Sequence, residues 1–482
     1  MWWSLREKRR RKMSSTHLHS QRPKRTMAQK SMKNPRSRSR FSVKTSENYI
    51  ERMPPEVILK ILSYLDAGSL FCFGFVNKRF QELANNNAMW YRFYAGQQAK
   101  KKNPRLIDEV TDGLSVVGIQ ERPEGYWRKQ FFKELAGYNA NWKKKLKAIH
   151  LYTGLPSQTA QILRSLRVRW AVTLTDGKGR ESTSEQTHVH FTDAAVTVSW
   201  SAGDWPFIDQ LTVLKLHGVV RVPLQCPDEY KPGWKSLLTK VKLNKDVWKL
   251  CGSDRLVKLL YTEQGITVGV WQEQREIAFI MVNLHYHQLV ERSLLGSCVV
   301  QYQPAEHTAA FDDVDPEYGL HGYAAHIELH STAGSIASGR FSQLFCTKDQ
   351  ISDGHLQLKV ISKSNRSQHA PLCGSISLPW RTDALQGQIE GCCMLTLTVF
   401  DEAQIPFWCV SAPVAMTTSE QAEVSYDCTG ESFFVRYEDA EGKVEIELRW
   451  MEDHKQYFMV SLIIFLSISK VNKHFGRDYL PQ

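Results

Sequence analysis

The chain has 482 residues, enough for roughly two or three domains, and an apolar content of 42% supplies a real core. Its net charge of +12 sits at one end: residues 1–45 hold 15 Lys or Arg and one acid, Glu7, which leaves 47 bases against 49 acids beyond them. The basic balance is thus the property of a tail, which argues against a folded nucleic-acid-binding surface.

Residues 1–47 are basic, rich in Ser and poor in branched apolar residues, so they are expected to stay disordered. Their densest block, Lys8-Arg9-Arg10-Arg11-Lys12, fits a nuclear-import signal or a nucleic-acid-binding arm, and a solvated tail accounts for it as well. The expected location is cytoplasm, nucleus or both. The opening MWWSLREKRRRK lacks the apolar run of a signal peptide, and the ten scattered cysteines contain no C-x-x-C pair. Both fit free thiols in a reducing compartment.

The sharpest stretch runs from Met53 to Tyr94. Pro54 and Pro55 suit the first positions of a helix, and Glu56 follows in its first turn. Ile58, Ile61, Leu62 and Leu65 then form one apolar helical face, with Val57 and Leu59 on other faces. Asp66-Ala67-Gly68 ends this helix. Ser69 is placed as the N-cap of a second helix, Leu70 to Val76. Asn77-Lys78-Arg79 interrupts, Phe80, Leu83 and Ala84 make a third short helix, and Asn85-Asn86-Asn87 stops it. Trp90, Phe93 and Tyr94 open the next element. Three short helices bury little by themselves, and the single cysteine, Cys72, offers no internal disulfide. The apolar excess on the first helix is therefore read as a surface for a partner.

This stretch resembles an F-box. It supplies Pro54, Glu56, Ile61-Leu62, Leu65, Leu70, Val76, the basic pair Lys78-Arg79, Phe80, Leu83 and Trp90 in the family's order. Met53 stands for the family's Leu, Asn77 for its Cys and Phe80 for its Trp. Gly74 sits in what reads as mid-helix, at about 1 kcal/mol relative to Ala, and leaves room for close packing. The resemblance implies a docking module for the S-phase kinase-associated adaptor of cullin–RING ubiquitin ligases. The contacts it implies are Pro54, Ile58, Leu59, Ile61, Leu62, Leu65, Leu70, Val76, Phe80 and Trp90, without separating those that touch the adaptor from those that hold the helices together. Through the adaptor it further implies a cullin and a RING subunit as partners, a substrate protein of unknown identity, and no cofactor.

Residues 96–165 read as linking helices. Asn103-Pro104 is a break, Trp127, Phe131, Phe132 and Leu135 repeat at helical spacing, and Trp142, Leu146 and Ile149 continue among lysines. Trp142-Lys143-Lys144-Lys145 is read as a helix with one buried face, and the segment is expected to brace the F-box. From about Val168 the period changes to two: Val168, Trp170, Val172 and Leu174 alternate up to an Asp176–Gly179 turn. Further strands are predicted at 189–191, 196–200, 211–216, 266–271, 277–283, 299–303, 323–329, 356–361, 394–400 and 407–410. A hairpin is predicted from Phe433–Glu438 and Val444–Trp450. Trp234–Leu250 is read as a helix. The apolar run Tyr457–Ser469 has about thirteen residues, short of the roughly twenty that cross a bilayer, and is read as a buried strand.

The predicted organisation is α+β and multidomain: a basic tail (1–47), an F-box (48–95), a helical linker (96–165), a large mainly-β domain of sandwich or jelly-roll type (166–470) and a C-terminal tail (471–482). No propeller or leucine-rich repeat is present, which fits the "F-box only" group of the family. The resemblance implies a non-catalytic substrate-recognition subunit of an SCF (Skp–cullin–F-box) ubiquitin ligase. A lectin-like F-box protein, with Trp205 or Trp271 stacking on sugars, is the alternative. His285, His287 and Glu291 have the spacing of a metal-binding strand without its glycine frame, and His188, His190, His321, His326 and His330 follow no ligand pattern. No P-loop, G-x-S-x-G or H-E-x-x-H occurs, and no RING-like Cys/His series, so any ligase chemistry is expected from partners.

Overall fold

The computed structural model describes residues 49–102, 122–138, 142–146, 149–222, 224–227, 232–287, 289–303, 320–418 and 432–475. The basic block Lys8–Lys12 and the Asn103-Pro104 break lie outside them. The chain divides into two units, Met1–Pro54 and Pro55–Gln482. The described part of the first is one helical turn, α1 (Tyr49–Arg52), after which Met53 N donates to Ile50 O at 3.4 Å.

The second unit opens with α2 (Pro55–Leu62), α3 (Ala67–Phe73), α4 (Lys78–Ala84) and the long α5 (Asn87–Lys102). Then come α6 (Tyr126–Tyr138), the single turn α7 (Trp142–Lys145) and α8 (Thr159–Ser165). Strands take over with β1 (Arg169–Asp176), β2 (Glu181–Glu185), β3 (His188–Phe191), β4 (Ala195–Trp200), β5 (Leu211–Arg221) and β6 (Gly233–Lys242). They continue as β7 (Lys249–Ser253), β8 (Val257–Tyr261), β9 (Ile266–Trp271) and β10 (Ile277–His285), followed by α9 (Leu289–Leu295). Next are β11 (Leu320–His330), β12 (Ser335–Cys346), β13 (Ile351–Ser352), β14 (His355–Ile361), β15 (Ala370–Pro371), β16 (Ser377–Arg381) and β17 (Gln386–Glu390). Last are β18 (Cys392–Phe400), β19 (Pro406–Thr418), β20 (Ser432–Glu438), β21 (Gly442–Met451), β22 (Gln456–Ser467) and α10 (Ile468–Phe475).

The sheets are antiparallel. One has the order β2-β1-β5-β6, a second β3-β4-β10-β9-β8-β7, and the largest runs β12-β11-β18-β19-β20-β21-β22-β14-β13. In the largest, β12 and β14 lie near opposite ends of the order yet pack against each other, so the sheet curls around its own core. Every residue of β18 is buried. Its odd positions Cys393, Leu395, Leu397 and Val399 enter that core with Val444, Ile446, Leu462 and Ile464. Its even positions Cys392 and Met394 enter a second core with Phe279, Met281, Leu378 and Trp380. A strand covered on both faces carries few polar residues, and in CCMLTLTVF the polar ones are Thr396 and Thr398, both on the second face.

Several expectations change. Trp234–Leu250 is not a helix: Gly233–Lys242 is β6, paired residue by residue with β5. Trp234, Leu237, Leu238 and Val241 have helical spacing, but the ladder to β5 outweighs it. Residues 299–303 form no strand. The fold also continues past Lys470: α10 buries Ile468, Val471 and Phe475, so the C-terminal tail assigned from residue 471 is helix as far as Phe475. The predicted hairpin is β20–β21, and the apolar run 457–469 is mostly β22, held between β21 and β14.

Candidate functional site

The three F-box helices are fixed by local chemistry. Asp66, not Ser69, caps α3: its Oδ2 accepts from Gly68 N at 2.9 Å and Ser69 N at 3.4 Å. A hydrogen bond from the Ser69 side chain foremost, with these backbone bonds from Gly68 and Ser69, holds the Asp66 carboxyl below its ordinary range. Gly74 closes α3 rather than interrupting it, so the mid-helix penalty does not arise. A Cβ there would meet Phe71 O at 3.3 Å and Ala84 Cβ at 3.6 Å, so the glycine does let α4 approach. Asn77, where the family has Cys, caps α4 by accepting from Phe80 N at 2.8 Å. Asn86 Oδ1 accepts from Ala88 N at 3.0 Å at the start of α5.

The asparagine triplet also anchors the next helix. Asn85 Oδ1 accepts from Arg128 Nη1. Asn87 Nδ2 donates to Arg122 O at 2.8 Å and Pro123 O at 3.0 Å. Above these bonds the rings interlock. Trp90 is fully buried, donates its indole N–H to Ala84 O at 2.6 Å, and packs on Phe131 and Phe132 with centroids 5.6 and 5.4 Å apart. Phe132 also meets Phe71 of α3 at 5.3 Å. The linker helix α6 therefore completes the F-box interior, as the predicted bracing role requires. From there α6 packs on α9 and β6, and α9 on β5 and β6. At the other side of the F-box, Gly68 lies so close to Gln225 O that a Cβ would stand 2.8 Å from it.

This arrangement sorts the ten residues named from the sequence. Ile58, Leu62, Leu70, Phe80 and Trp90 are interior, and Leu59 and Leu65 are half-buried. Ile61 is 50% exposed and Val76 65%. Pro54 is exposed at the end of the first unit. Three residues outside that set are also exposed: Val57, Tyr64 and Phe75. Val57 and Ile61 stand at i and i+4 on one face of α2, opposite in character to the buried Ile58 and Leu62, and Tyr64 follows in the turn just past the helix. That second spacing was available in the sequence beside the one used.

The F-box-like family model matches residues 50–95. The chain is 39% identical over 435 residues to F-box only protein 15 of Macaca fascicularis, which covers 89% of this chain and all of the relative. The chain belongs to the F-box only protein 15 family. The Homo sapiens relative of the same name is 37% identical over 439 residues, 89% of this chain and 86% of the relative. An F-box protein of Saccharomyces cerevisiae is 29% identical over 110 residues, 20% of this chain and 17% of the relative.

In this member of the F-box only protein 15 family, the histidines flagged in the sequence have other duties. His285 ends β10, and its Nε2 is 2.8 Å from Thr398 Oγ1. Glu291 lies on α9, ion-paired to Lys143 at 2.8 Å and accepting from Tyr302 at 2.9 Å, so the two sit in different elements with different partners. His326, Glu328 and His330 face the β4–β10 side of β11 and are buried. Asn283 Nδ2 donates to Thr396 Oγ1 at 3.1 Å, Thr197 Oγ1 donates to Asn283 Oδ1 at 3.1 Å, and His330 Nε2 is 3.1 Å from Thr396 Oγ1. This polar seam joins two sheets. Burial lowers His285 to about 3 and His326 and His330 to about 4, while it raises the Glu328 carboxyl to about 7. Of the two tryptophans considered for sugar stacking, Trp205 donates to Ser184 Oγ at 3.2 Å, and Trp271 packs edge-on against Trp380. Trp142 is buried and Lys143 holds Glu291, as a helix with one buried face requires.

Proposed function

We propose that this chain is the non-catalytic substrate-recognition subunit of an SCF-type ubiquitin ligase. Its F-box binds the S-phase kinase-associated adaptor and, through it, a cullin and RING subunit, while the β-rich part holds a substrate protein. One observation carries the reading. The F-box interior is already filled by the chain's own α6, yet Val57, Ile61, Tyr64, Phe75 and Val76 remain uncovered. Apolar side chains on short, well-capped helices suit a partner surface. The chemistry the F-box subunit contributes is proximity. A substrate lysine held beside a charged conjugating enzyme reacts as though within one molecule.

The test separates surface from interior. Leu62 and Trp90 are poor probes, because truncating them empties the core. Ile61→Asp and Val76→Asp leave the interior intact. In pull-downs with purified adaptor, each is expected to weaken binding about tenfold or more, the loss of one central interface contact. Full retention of the adaptor by the double variant, with unchanged helicity, removes the reading. For location we propose cytoplasm and nucleus, with Lys8–Lys12 as the import signal. A fluorescent fusion of residues 1–47 that stays out of the nucleus overturns that assignment.

A further inference from the structure

The ladder between β19 and β20 is only three pairs long: Met416↔Val435, Thr417↔Phe434 and Thr418↔Phe433. Beyond it the strands part. β19 stays with β18 back to Pro406, and β20 stays with β21 on to Glu438. Among the described residues, no strand pairs with the other side of either over these stretches. A cleft of about 550 Å³ opens between them, with Ala412–Ala415 on one wall and Arg436–Glu438 on the other. The β7–β8 hairpin forms the third side, with Leu250 at the mouth and Thr262, just after β8, in the wall.

Three features describe what fits. First, both long walls are strand edges, whose main-chain N–H and C=O groups need partners. Pro413 sits within β19 without breaking its register with β18. Proline is tolerated in a strand when its missing N–H lies on the open edge, so that edge is the cleft side. Second, Thr262 is 1% exposed and, among the described residues, its hydroxyl has no hydrogen-bond partner, which leaves a buried polar group at the cleft wall to be satisfied. Third, the charges lining the cleft balance, Lys249, Arg436 and Lys443 against Glu263, Glu438 and Glu445, and most are paired: Lys249 with Glu263 at 3.0 Å, Arg436 with Glu445 at 3.4 Å, and Lys443 with Glu445 at 2.9 Å. A strongly charged ligand gains nothing there. A main chain with small apolar side chains does, and Leu250, 63% exposed, offers it an apolar contact.

We propose that this cleft takes an extended peptide segment of a substrate protein, inserted as a strand between β19 and β20. Main-chain hydrogen bonds would supply affinity and the wall side chains selectivity. The volume falls in the ~300–1,000 Å³ range of ligand sites. The proposal rests on the substrate-receptor reading and gives that reading a site and a ligand class.

Short random peptides displayed on phage would be selected against the full chain held on its adaptor. The winning peptides would then be measured against wild type, Ala415→Arg, which fills the cleft, and Leu250→Ala at its exposed mouth. The expected result is about tenfold or greater weakening by Ala415→Arg and a smaller loss by Leu250→Ala. Methylating alternate backbone amides of the peptide should abolish binding, and hydrogen exchange should slow at 412–415 and 436–438. Both variants should retain the adaptor, so a failure here is distinct from a failure of the F-box reading. If Ala415→Arg does not fold, the methylated peptides and Leu250→Ala decide. Equal affinity for Leu250→Ala and the methylated peptides, protection elsewhere in the chain, no selected peptide, or a dimer of this chain broken by Ala415→Arg each overturn the proposal.

Discussion

Trp90 and Asn283 do comparable jobs in different parts of the molecule. Trp90 joins the F-box to α6 through rings, with one hydrogen bond to Ala84 O. Asn283 joins the β10 sheet to the β18 sheet through its bond to Thr396 and its 3.3 Å contact with His330, while Thr197 of the neighbouring β4 orients its amide, among buried histidines and a buried carboxyl. The first joint is held by apolar area, which does not titrate. The second is held by groups whose burial is tolerable only in one protonation state. One chain thus carries an acid-insensitive joint next to its F-box helices and an acid-sensitive one inside its β layers.

The largest expected effect is the response of the seam to acid. His285, His326 and His330 have folded values of about 3 to 4, below the ordinary 6.5. As pH falls below 6.5 the unfolded chain takes up protons that the fold refuses, so their contribution is full above 6.5 and is lost toward pH 4. Glu328 works the other way. Its folded value of about 7 means the fold holds a proton, so its contribution is present in acid and is lost as pH rises through 7. Three groups outweigh one, and the net direction is loss of stability in acid. Hydrogen exchange at pH 7 and pH 5 should show weakened protection in β10, β11 and β18, with α3, α5 and α6 changed far less. Equal loss in both regions would erase the contrast.

Next in size is Trp90→Ala. Removing a fully buried tryptophan costs about 3–5 kcal/mol. The loss should be the same at pH 7 and pH 5, measured as a shift in urea midpoint. A cost that changes markedly with pH would mean that the ring cluster is coupled to the seam.

The two joints also differ in how far they can be read from sequence. The F-box helices, the asparagine stop and the aromatic repeat of α6 lie within about ninety residues and announce themselves through local periodicity. So does the β20–β21 hairpin, whose strands alternate across a short turn. Asp66 reads from the sequence as the end of one helix but starts the next, so the cap of α3 lies three residues before the predicted Ser69. The seam carries no local signal: Asn283 and Thr396 are 113 residues apart, and their side chains meet only after two sheets stack. The same holds for the cleft, which exists because a ladder stops after three pairs. Among the ten residues that the F-box resemblance implies as adaptor contacts, helical spacing alone does not separate interior from surface, because α2 has apolar residues on both its faces. Only the placement of α6 and of the other F-box helices decides which one is covered.

The smallest expected effect tests whether the F-box depends on its caps or on its rings. Asn77 accepts from Phe80 N and so satisfies one of the orphan donors at the start of α4. Asn77→Ala removes that acceptor and should cost about 1 kcal/mol, whereas Asn77→Asp keeps an acceptor and should cost little. Thermal melts of the two variants supply the comparison. Phe80, three residues on, stays buried and stacked on Phe73 at 4.4 Å in either case, so the helix retains its main hold on the core. A loss of several kcal/mol from Asn77→Ala would instead make the cap a keystone of the F-box. The family's Cys at this position would then be hard to understand, since a thiol is a weak acceptor for a backbone N–H.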